Sequence, residues 1–192
     1  MGAPPHLVIL HGTMGSPQSN WFPWLAQQAA LLGCRVSCPQ LPTPKDQNLF
    51  SWLETFQLKV GELKKEMILV GHSAGATFSL RLLERSSTKI KGAAIVSGFP
   101  HPLGIPEFDP LLESFVDAPF DWSKIRHHCA QIAVINGDND PYVPLEMGQE
   151  IADHLGVPLQ TVPNGGHLNA DAGYLEFPLL GEWVKRSLNA AV

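Results

Sequence analysis

The chain has 192 residues, which is enough for one domain with a substantial hydrophobic core. A formal net charge of -5, without a cluster of lysine and arginine interleaved with aromatic residues, argues against binding to nucleic acid. The three cysteines have no metal-type spacing, and no apolar run is long enough to span a membrane. We therefore expect a single cytoplasmic domain over residues 1–192, with reduced thiols and no membrane contact.

Short apolar runs alternate with segments of helical periodicity along the chain. The predicted strands cover residues 6–10, 34–38, 66–70, 92–97, 131–136 and 158–162. The predicted helices cover residues 21–33, 49–65, 77–84, 145–155 and 174–188. Because strands and helices alternate without a long hairpin pair, we predict an α/β fold: a mostly parallel sheet of about six strands with helices on both faces.

One long stretch, residues 99–128, is irregular and rich in proline, acidic and aromatic residues. Segments of this length within a compact domain are usually either functional or disordered. This one follows a predicted strand, on the side of a parallel sheet where ligands bind. We interpret it as a short flap-like insertion over the site, with disorder as the alternative.

The sequence Gly71-His72-Ser73-Ala74-Gly75 lies between a predicted strand and a predicted helix. In this setting G-x-S-x-G forms a sharp turn from which the serine hydroxyl protrudes and can attack a carbonyl group. The two glycines carry no Cβ that would crowd such a turn. We interpret Ser73 as a nucleophile; an incidental serine in a tight turn is the alternative.

A nucleophilic serine needs a base and an acid that orients it, and in this architecture they follow in the order serine, acid, histidine. The sequence GDNDPYVP offers Asp138 and Asp140 after one predicted strand, and NGGH offers His167 after the next. We choose Asp140 as the acid because it lies farther along its loop, where the chain can bend towards the histidine. His167 would take the proton of Ser73 while the acid holds the other ring nitrogen.

The other histidines are weaker candidates for the base. His11 and His72 adjoin the site and are expected to make hydrogen bonds in the core. His127 and His128 are adjacent in sequence, so they cannot easily converge on one ion, and no metal-binding motif accompanies them. We expect no metal site.

The negative charge that forms on an attacked carbonyl oxygen needs hydrogen-bond donors. The amide that follows the nucleophile, Ala74, is one candidate, and the loop after the first strand offers Thr13, with Met14 as a second choice. This loop lacks the lysine and the glycine spacing of phosphate-binding loops, so we expect neither a nucleotide nor another cofactor.

Three apolar residues near the site are candidates for contact with an acyl or aromatic group of the substrate: Met14, Trp21 and Phe99. Residues of these types are as often part of a hydrophobic core, which is the alternative for each.

Taken together, HG after the first strand, GHSAG, GDNDPYVP and NGGH resemble the α/β-hydrolases. The short length and the sequences NWFPWL and VSGF resemble more narrowly the small YdeN-like serine hydrolases, which are related to the retinoblastoma-binding-protein-nine group. The resemblance implies a three-layer α/β/α sandwich without a large cap domain. It also implies a catalytic triad at the matching positions Ser73, Asp140 and His167.

Two functions are therefore expected. The first is a serine hydrolase of the carboxylesterase type, in which a small-molecule ester or thioester forms an acyl-enzyme on Ser73 that water then hydrolyses. The second is a catalytically idle protein of the same fold that binds a protein partner through residues 99–128. Neither involves nucleic acid or a membrane, and the sequence leaves the oligomeric state open.

Overall fold

The computed structural model describes residues 3–189, so the ends of the predicted domain, 1–2 and 190–192, lie outside the described residues. One sheet contains six strands: β1 His6–Leu10, β2 Arg35–Ser37, β3 Met67–His72, β4 Gly92–Val96, β5 Ile132–Gly137 and β6 Leu159–Val162. Their order is β2-β1-β3-β4-β5-β6, and every neighbouring pair is parallel. The predicted parallel sheet of about six strands is confirmed.

Helices pack on both faces of this sheet: α1 Phe22–Leu31, α2 Leu49–Lys59, α3 Ala74–Arg85, α4 Asp109–Val116, α5 Trp122–His127, α6 Leu145–Leu155 and α7 Pro178–Asn189. The alternation of side chains along β1 divides the core. Leu7 and Ile9 pack in the cluster that contains α1 and α7, whereas Val8 and Leu10 pack in the cluster that contains α2 to α6. The three-layer sandwich is confirmed, and the described residues form no large cap.

Two predicted helices have limits that differ from the observed ones by four residues or more. α2 ends at Lys59 instead of continuing to residue 65, because the chain reverses at Gly61, where φ is +90°. The last helix begins at Pro178 rather than at residue 174, since the preceding residues form a 3-10 turn over Ala170–Ala172 and then a loop.

Residues 99–128 are not irregular, because they contain α4 and α5. Their aromatic and aliphatic side chains point inward: Phe99, Phe115 and Ile125 are fully buried, and Phe120 is largely buried. The description of this stretch as irregular is therefore wrong, as is the alternative of disorder, whereas its role as a flap over the site stays a prediction. Helix periodicity was hard to detect here because both helices are short and owe their stability to tertiary packing.

The cysteines, the lengths of the helices and the potential metal ligands can also be compared with the expectations from the sequence. Cys34, Cys38 and Cys129 are unpaired, and burial raises the pKa of the Cys38 and Cys129 thiols to about 12, which keeps both protonated. Within residues 3–189, no helix combines the length and the apolar character needed to cross a bilayer. The same residues hold no group of three or more potential metal ligands.

Candidate active site

Ser73 connects β3 to α3 in a strained conformation, with φ 56° and ψ -125°. A non-glycine residue rarely adopts this conformation, and here it turns the chain sharply between strand and helix. Its amide donates to the Val96 carbonyl at 2.8 Å, which fixes the turn to β4. The geometry is that of a nucleophile elbow.

The glycines on either side of Ser73 are required by close approach of backbone. A Cβ at Gly71 would lie 2.3 Å from the Gly75 carbonyl oxygen, and a Cβ at Gly75 would lie 2.2 Å from the Leu10 carbonyl oxygen. A side chain at Gly71 would therefore separate β3 from the start of α3, and one at Gly75 would separate α3 from the end of β1. The G-x-S-x-G pattern follows from this packing.

The loop over residues 11–15, here called the oxyanion loop, packs directly against Ser73: a Cβ at Gly12 would lie 2.8 Å from the Ser73 Cβ. Buried His11 fixes the loop. Its Nδ1–H donates to the Gly12 carbonyl at 2.8 Å, and its Nε2 accepts from the Leu41 amide at 2.9 Å. Burial lowers the pKa of His11, so the ring stays neutral. His11 thus makes hydrogen bonds in the core, as expected from the sequence.

The acid and the histidine predicted from the sequence are hydrogen-bonded to each other. His167 Nδ1–H donates to Asp140 Oδ2 at 2.8 Å, and Asp140 Oδ1 accepts from the amides of Tyr142 at 2.9 Å and Val143 at 3.0 Å. Burial acts to raise the pKa of Asp140, but the hydrogen bond and charge of His167 and the two amides outweigh it and lower the pKa. Asp140 is therefore held as a carboxylate behind the imidazole.

The alternative acid has a different task. Asp138 Oδ1 accepts from the Asn164 amide at 2.7 Å, and Asn139 Oδ1 accepts from the Gly166 amide at 2.7 Å. Both side chains thus fasten the loop over residues 138–144, here called the acid loop, to the backbone of the loop over residues 163–169, here called the histidine loop. Of the two aspartates, Asp140 bonds the ring of His167 and Asp138 does not.

His72 holds the histidine loop from the opposite side. Its Nε2–H donates to the His167 carbonyl at 2.8 Å, and the two ring centroids lie 4.8 Å apart. Burial, followed by the nearby His167, lowers the pKa of His72 to about 3, so the ring stays neutral. The sequence predicted a core hydrogen bond for His72, but nothing in its position identified His167 as the partner.

Ser73 and His167 line one cavity of about 320 Å³. Because Asp140 occupies Nδ1, the ring nitrogen that remains for proton transfer is Nε2. Across residues 3–189, no hydrogen bond joins Ser73 Oγ to this nitrogen; such bonds commonly tighten only when substrate binds.

The candidate oxyanion donors lie in the oxyanion loop and at the start of α3. Thr13 lines it, and Ala74 is the first residue of α3, where backbone amides have no partner within the helix. The amide of Met14, the second choice, is engaged, since it donates to Thr43 Oγ1 at 2.6 Å.

The cavity has an apolar wall and a polar wall. The apolar wall consists of Met14, Leu103, Phe108, Leu112 and Tyr142. Here the Tyr142 ring lies 5.0 Å from the His167 ring and 5.8 Å from the Phe108 ring. The polar wall consists of Ser19, Asn20, Asn169 and Asp171. Apart from Met14, none of these residues was predicted from the sequence as a substrate contact, since no motif assigns them that role.

Of the three predicted substrate contacts, only Met14 lines the cavity, where its side chain is 62% exposed. Trp21 and Phe99 are wrong as contacts, because both are fully buried in the core. The Trp21 Nε1–H donates to the Leu168 carbonyl at 2.9 Å, so it supports the loop behind the site. Phe99 packs in the cluster on the α3 side of the sheet.

Comparisons with known proteins agree with this geometry. A family model described as "Serine hydrolase" matches residues 7–186. The chain is 31% identical over 176 residues to the hydrolase YdeN of Bacillus subtilis (strain 168), covering 91% of each protein. It is 25% identical over 195 residues to serine hydrolase RBBP9 of Rattus norvegicus, covering 100% of each.

Solved structures show the same fold. The crystal structure of the ydeN gene product from B. subtilis has a TM-score of 0.89 and 29% identity, covering 97% of this chain and 100% of that chain. Est1E from Butyrivibrio proteoclasticus, at 15% identity, shares the fold with a TM-score of 0.73, covering 97% of this chain and 89% of that chain. Because the family match runs from β1 into α7 and includes the elbow and both loops, the chain belongs to the serine hydrolase family and has the α/β-hydrolase fold.

Proposed function

We propose that the protein hydrolyses carboxylic esters or thioesters of small molecules through an acyl-enzyme on Ser73. His167 is the general base and Asp140 the acid that orients it. One observation carries this proposal: the imidazole bonded to Asp140 at 2.8 Å lines the same cavity as a serine in the strained conformation of a nucleophile elbow.

In the first half-reaction, Ser73 Oγ bonds to the substrate carbonyl carbon while its proton passes to His167 Nε2. Asp140 stabilises the imidazolium that forms. The amides of Thr13 and Ala74 donate to the developing oxyanion, and loss of one such donor typically costs about 3 kcal/mol of transition-state stabilisation. The bond to the alcohol or thiol then breaks, and the leaving group takes the proton from His167.

In the second half-reaction, a water molecule attacks the acyl-enzyme, with His167 again accepting the proton. The bond between Ser73 Oγ and the acyl carbon breaks, and the proton returns to Ser73, so the carboxylic acid leaves and the enzyme is restored. No residue of this cycle needs a metal ion or a cofactor to accept charge.

A fluorophosphonate probe tests the nucleophile. We expect covalent labelling of the wild-type protein at Ser73, and we expect Ser73→Ala to abolish labelling and to lower kcat by about 10⁶-fold, as in other triad enzymes. Ser123→Ala, a change at an exposed serine of α5, should label as the wild type does. Folded wild-type protein that resists the probe would contradict the proposal.

The substrate's acyl part is expected to be short. A cavity of about 320 Å³ is near the lower end of the range of roughly 300–1,000 Å³ for small-molecule sites, and its apolar wall suits an alkyl group. In a series of p-nitrophenyl esters and matching acyl thioesters of rising chain length, kcat/KM should therefore be highest for short chains and fall for long ones. An optimum at long chains would show that the acyl group lies elsewhere.

The idle interaction module was suggested by the aromatic residues of 99–128 as a partner surface. Phe99, Phe115 and Phe120 are buried against the core, so they offer no such surface.

A further inference from the structure

The polar wall of the active-site cavity carries one carboxylate, that of Asp171. The other acid of the site, Asp140, lies behind the imidazole with a fully buried side chain. Asp171 differs in being exposed at the second position of the 3-10 turn that follows the histidine loop. It has no part in the catalytic steps described above.

The turn that carries Asp171 is firmly held. The Ala170 amide donates to Asn20 Oδ1 at 2.9 Å, which joins the turn to the segment before α1. The Ala172 amide donates to Asn169 Oδ1 at 3.0 Å, which caps the turn. A ligand that contacts Asp171 therefore meets a backbone that is already ordered, which lowers the entropy cost of binding.

The charge of Asp171 is not neutralised locally. Among the described residues, no lysine or arginine lines the cavity, and no side chain forms an ion pair or hydrogen bond with the Asp171 carboxylate. An unpaired carboxylate at the wall of a cleft attracts cations and repels anions. The cavity thus favours a substrate that brings a positive charge to its polar wall.

We propose that the polar wall binds a cationic group on the alcohol part of the ester, with Asp171 as its counter-charge. This inference rests on the proposed function. The alcohol part is assigned to this wall because the apolar wall, formed by Leu103, Phe108 and Leu112 with Met14 and Tyr142, takes the acyl part. Since Asp171 is exposed, we expect the charge to raise kcat/KM by about five-fold at low ionic strength.

Acetylcholine and 3,3-dimethylbutyl acetate test this subsite, because they have the same shape and differ in having a quaternary nitrogen or a carbon. We expect the wild-type protein to hydrolyse the cationic ester with the higher kcat/KM, and we expect added salt to reduce the ratio of the two values. In Asp171→Asn the ratio should fall to that for hydrolysis of the same two esters by hydroxide, in which the quaternary nitrogen acts only by making choline the better leaving group. The matched control is Glu176→Gln, which removes the same charge from an exposed position outside the cavity and should keep the wild-type ratio.

A wild-type ratio no higher than that for hydroxide, or an excess over it that survives in Asp171→Asn, would overturn the subsite. Hydrolysis of the neutral ester reports separately on the proposed function, so the two failures are distinguishable. If neither ester is hydrolysed, NMR titration with the alcohols decides: tighter binding of choline than of 3,3-dimethylbutanol, lost in Asp171→Asn, supports the subsite, and equal binding overturns it.

Discussion

At the scale of single residues, His72 has the most unusual environment near the site. It precedes the nucleophile and donates its Nε2–H to the carbonyl of the catalytic base candidate, His167. The ring stays neutral at all ordinary pH values, because the pKa of His72 is lowered to about 3, chiefly by burial. A neutral ring therefore joins the end of β3 to the histidine loop by a hydrogen bond.

This buried neutral ring predicts that acid destabilises the protein. In the unfolded chain, the histidine at position 72 takes up a proton below its ordinary pKa of 6.5. In the folded protein it stays neutral until the pH falls to about 3. The contribution to stability is thus complete above pH 6.5 and is lost as the pH falls, by about 1.4 kcal/mol per pH unit. His72→Gln keeps a neutral N–H donor, so its free energy of unfolding should decline less steeply with falling pH, by about this amount per unit.

Urea unfolding at a series of pH values measures both slopes. Other ionisable groups should add the same slope to both proteins, and His11 and Asp140 are among them. Burial lowers the pKa of His11, and the contact with His167 lowers the pKa of Asp140 against its own burial. Equal slopes in wild type and His72→Gln would show that His72 has the same pKa in the folded protein as in the unfolded chain.

The sequence could predict the site residues whose chemistry imposes a motif. Asp140 and His167 lie together as expected, because chain order and strand ends restrict where an acid and a base can be. Trp21 and Phe99 were misplaced because closeness in sequence to the oxyanion loop or to a strand end does not say which way a side chain points. Asp171 was missed because a 3-10 turn carries no comparable signal.

At the scale of elements, one buried side chain joins three segments around the oxyanion loop. Gln47 Nε2 donates to Thr13 Oγ1 at 2.8 Å and to the Leu111 carbonyl of α4 at 3.2 Å. Its Oε1 accepts from Thr43 Oγ1 at 2.6 Å, and Thr43 Oγ1 in turn accepts from the Met14 amide at 2.6 Å. The position of the Thr13 amide is thus coupled to α4 through Gln47.

We expect Gln47→Glu to lower kcat for ester hydrolysis by about ten-fold with a smaller change in KM, because a carboxylate cannot donate to Thr13 or Leu111 and the oxyanion loop would lose its fixed position. Gln57→Glu, the same chemical change on the exposed face of α2, should leave both constants at their wild-type values. Steady-state kinetics on a p-nitrophenyl ester measure the effect. A loss of stability with unchanged kcat would assign Gln47 to the fold alone.

At the scale of the whole molecule, residues 99–128 are attached to the core through Arg81 of α3. Arg81 Nε donates to the Phe115 carbonyl at 2.9 Å, and the Nη2 group donates to the Ala118 carbonyl. Its guanidinium carbon also lies 3.6 Å from the centroid of the Phe120 ring. Since α4 supplies part of the apolar wall of the cavity, this arginine links the stability of the fold to the shape of the site.

Arg81→Met should lower the free energy of unfolding by about 3 kcal/mol, because it leaves buried carbonyls without a donor and Glu84 without its main partner. Arg85→Met is the matched control: Arg85 lies on the same helix and also pairs with Glu84, at 3.3 Å, but it is exposed, so its loss should cost less than about 0.5 kcal/mol.

Hydrogen exchange tests whether the damage is local. In the wild type, the amides of α4 should exchange as slowly as those of the central strands, because Leu112 and Phe115 belong to the same core as β3 and β4. In Arg81→Met, the α4 and α5 amides should exchange faster while the strand amides keep their order of protection. Fast exchange of α4 in the wild type would instead mean that this segment opens independently of the sheet, as a lid does, and that the apolar wall of the cavity forms only when it closes.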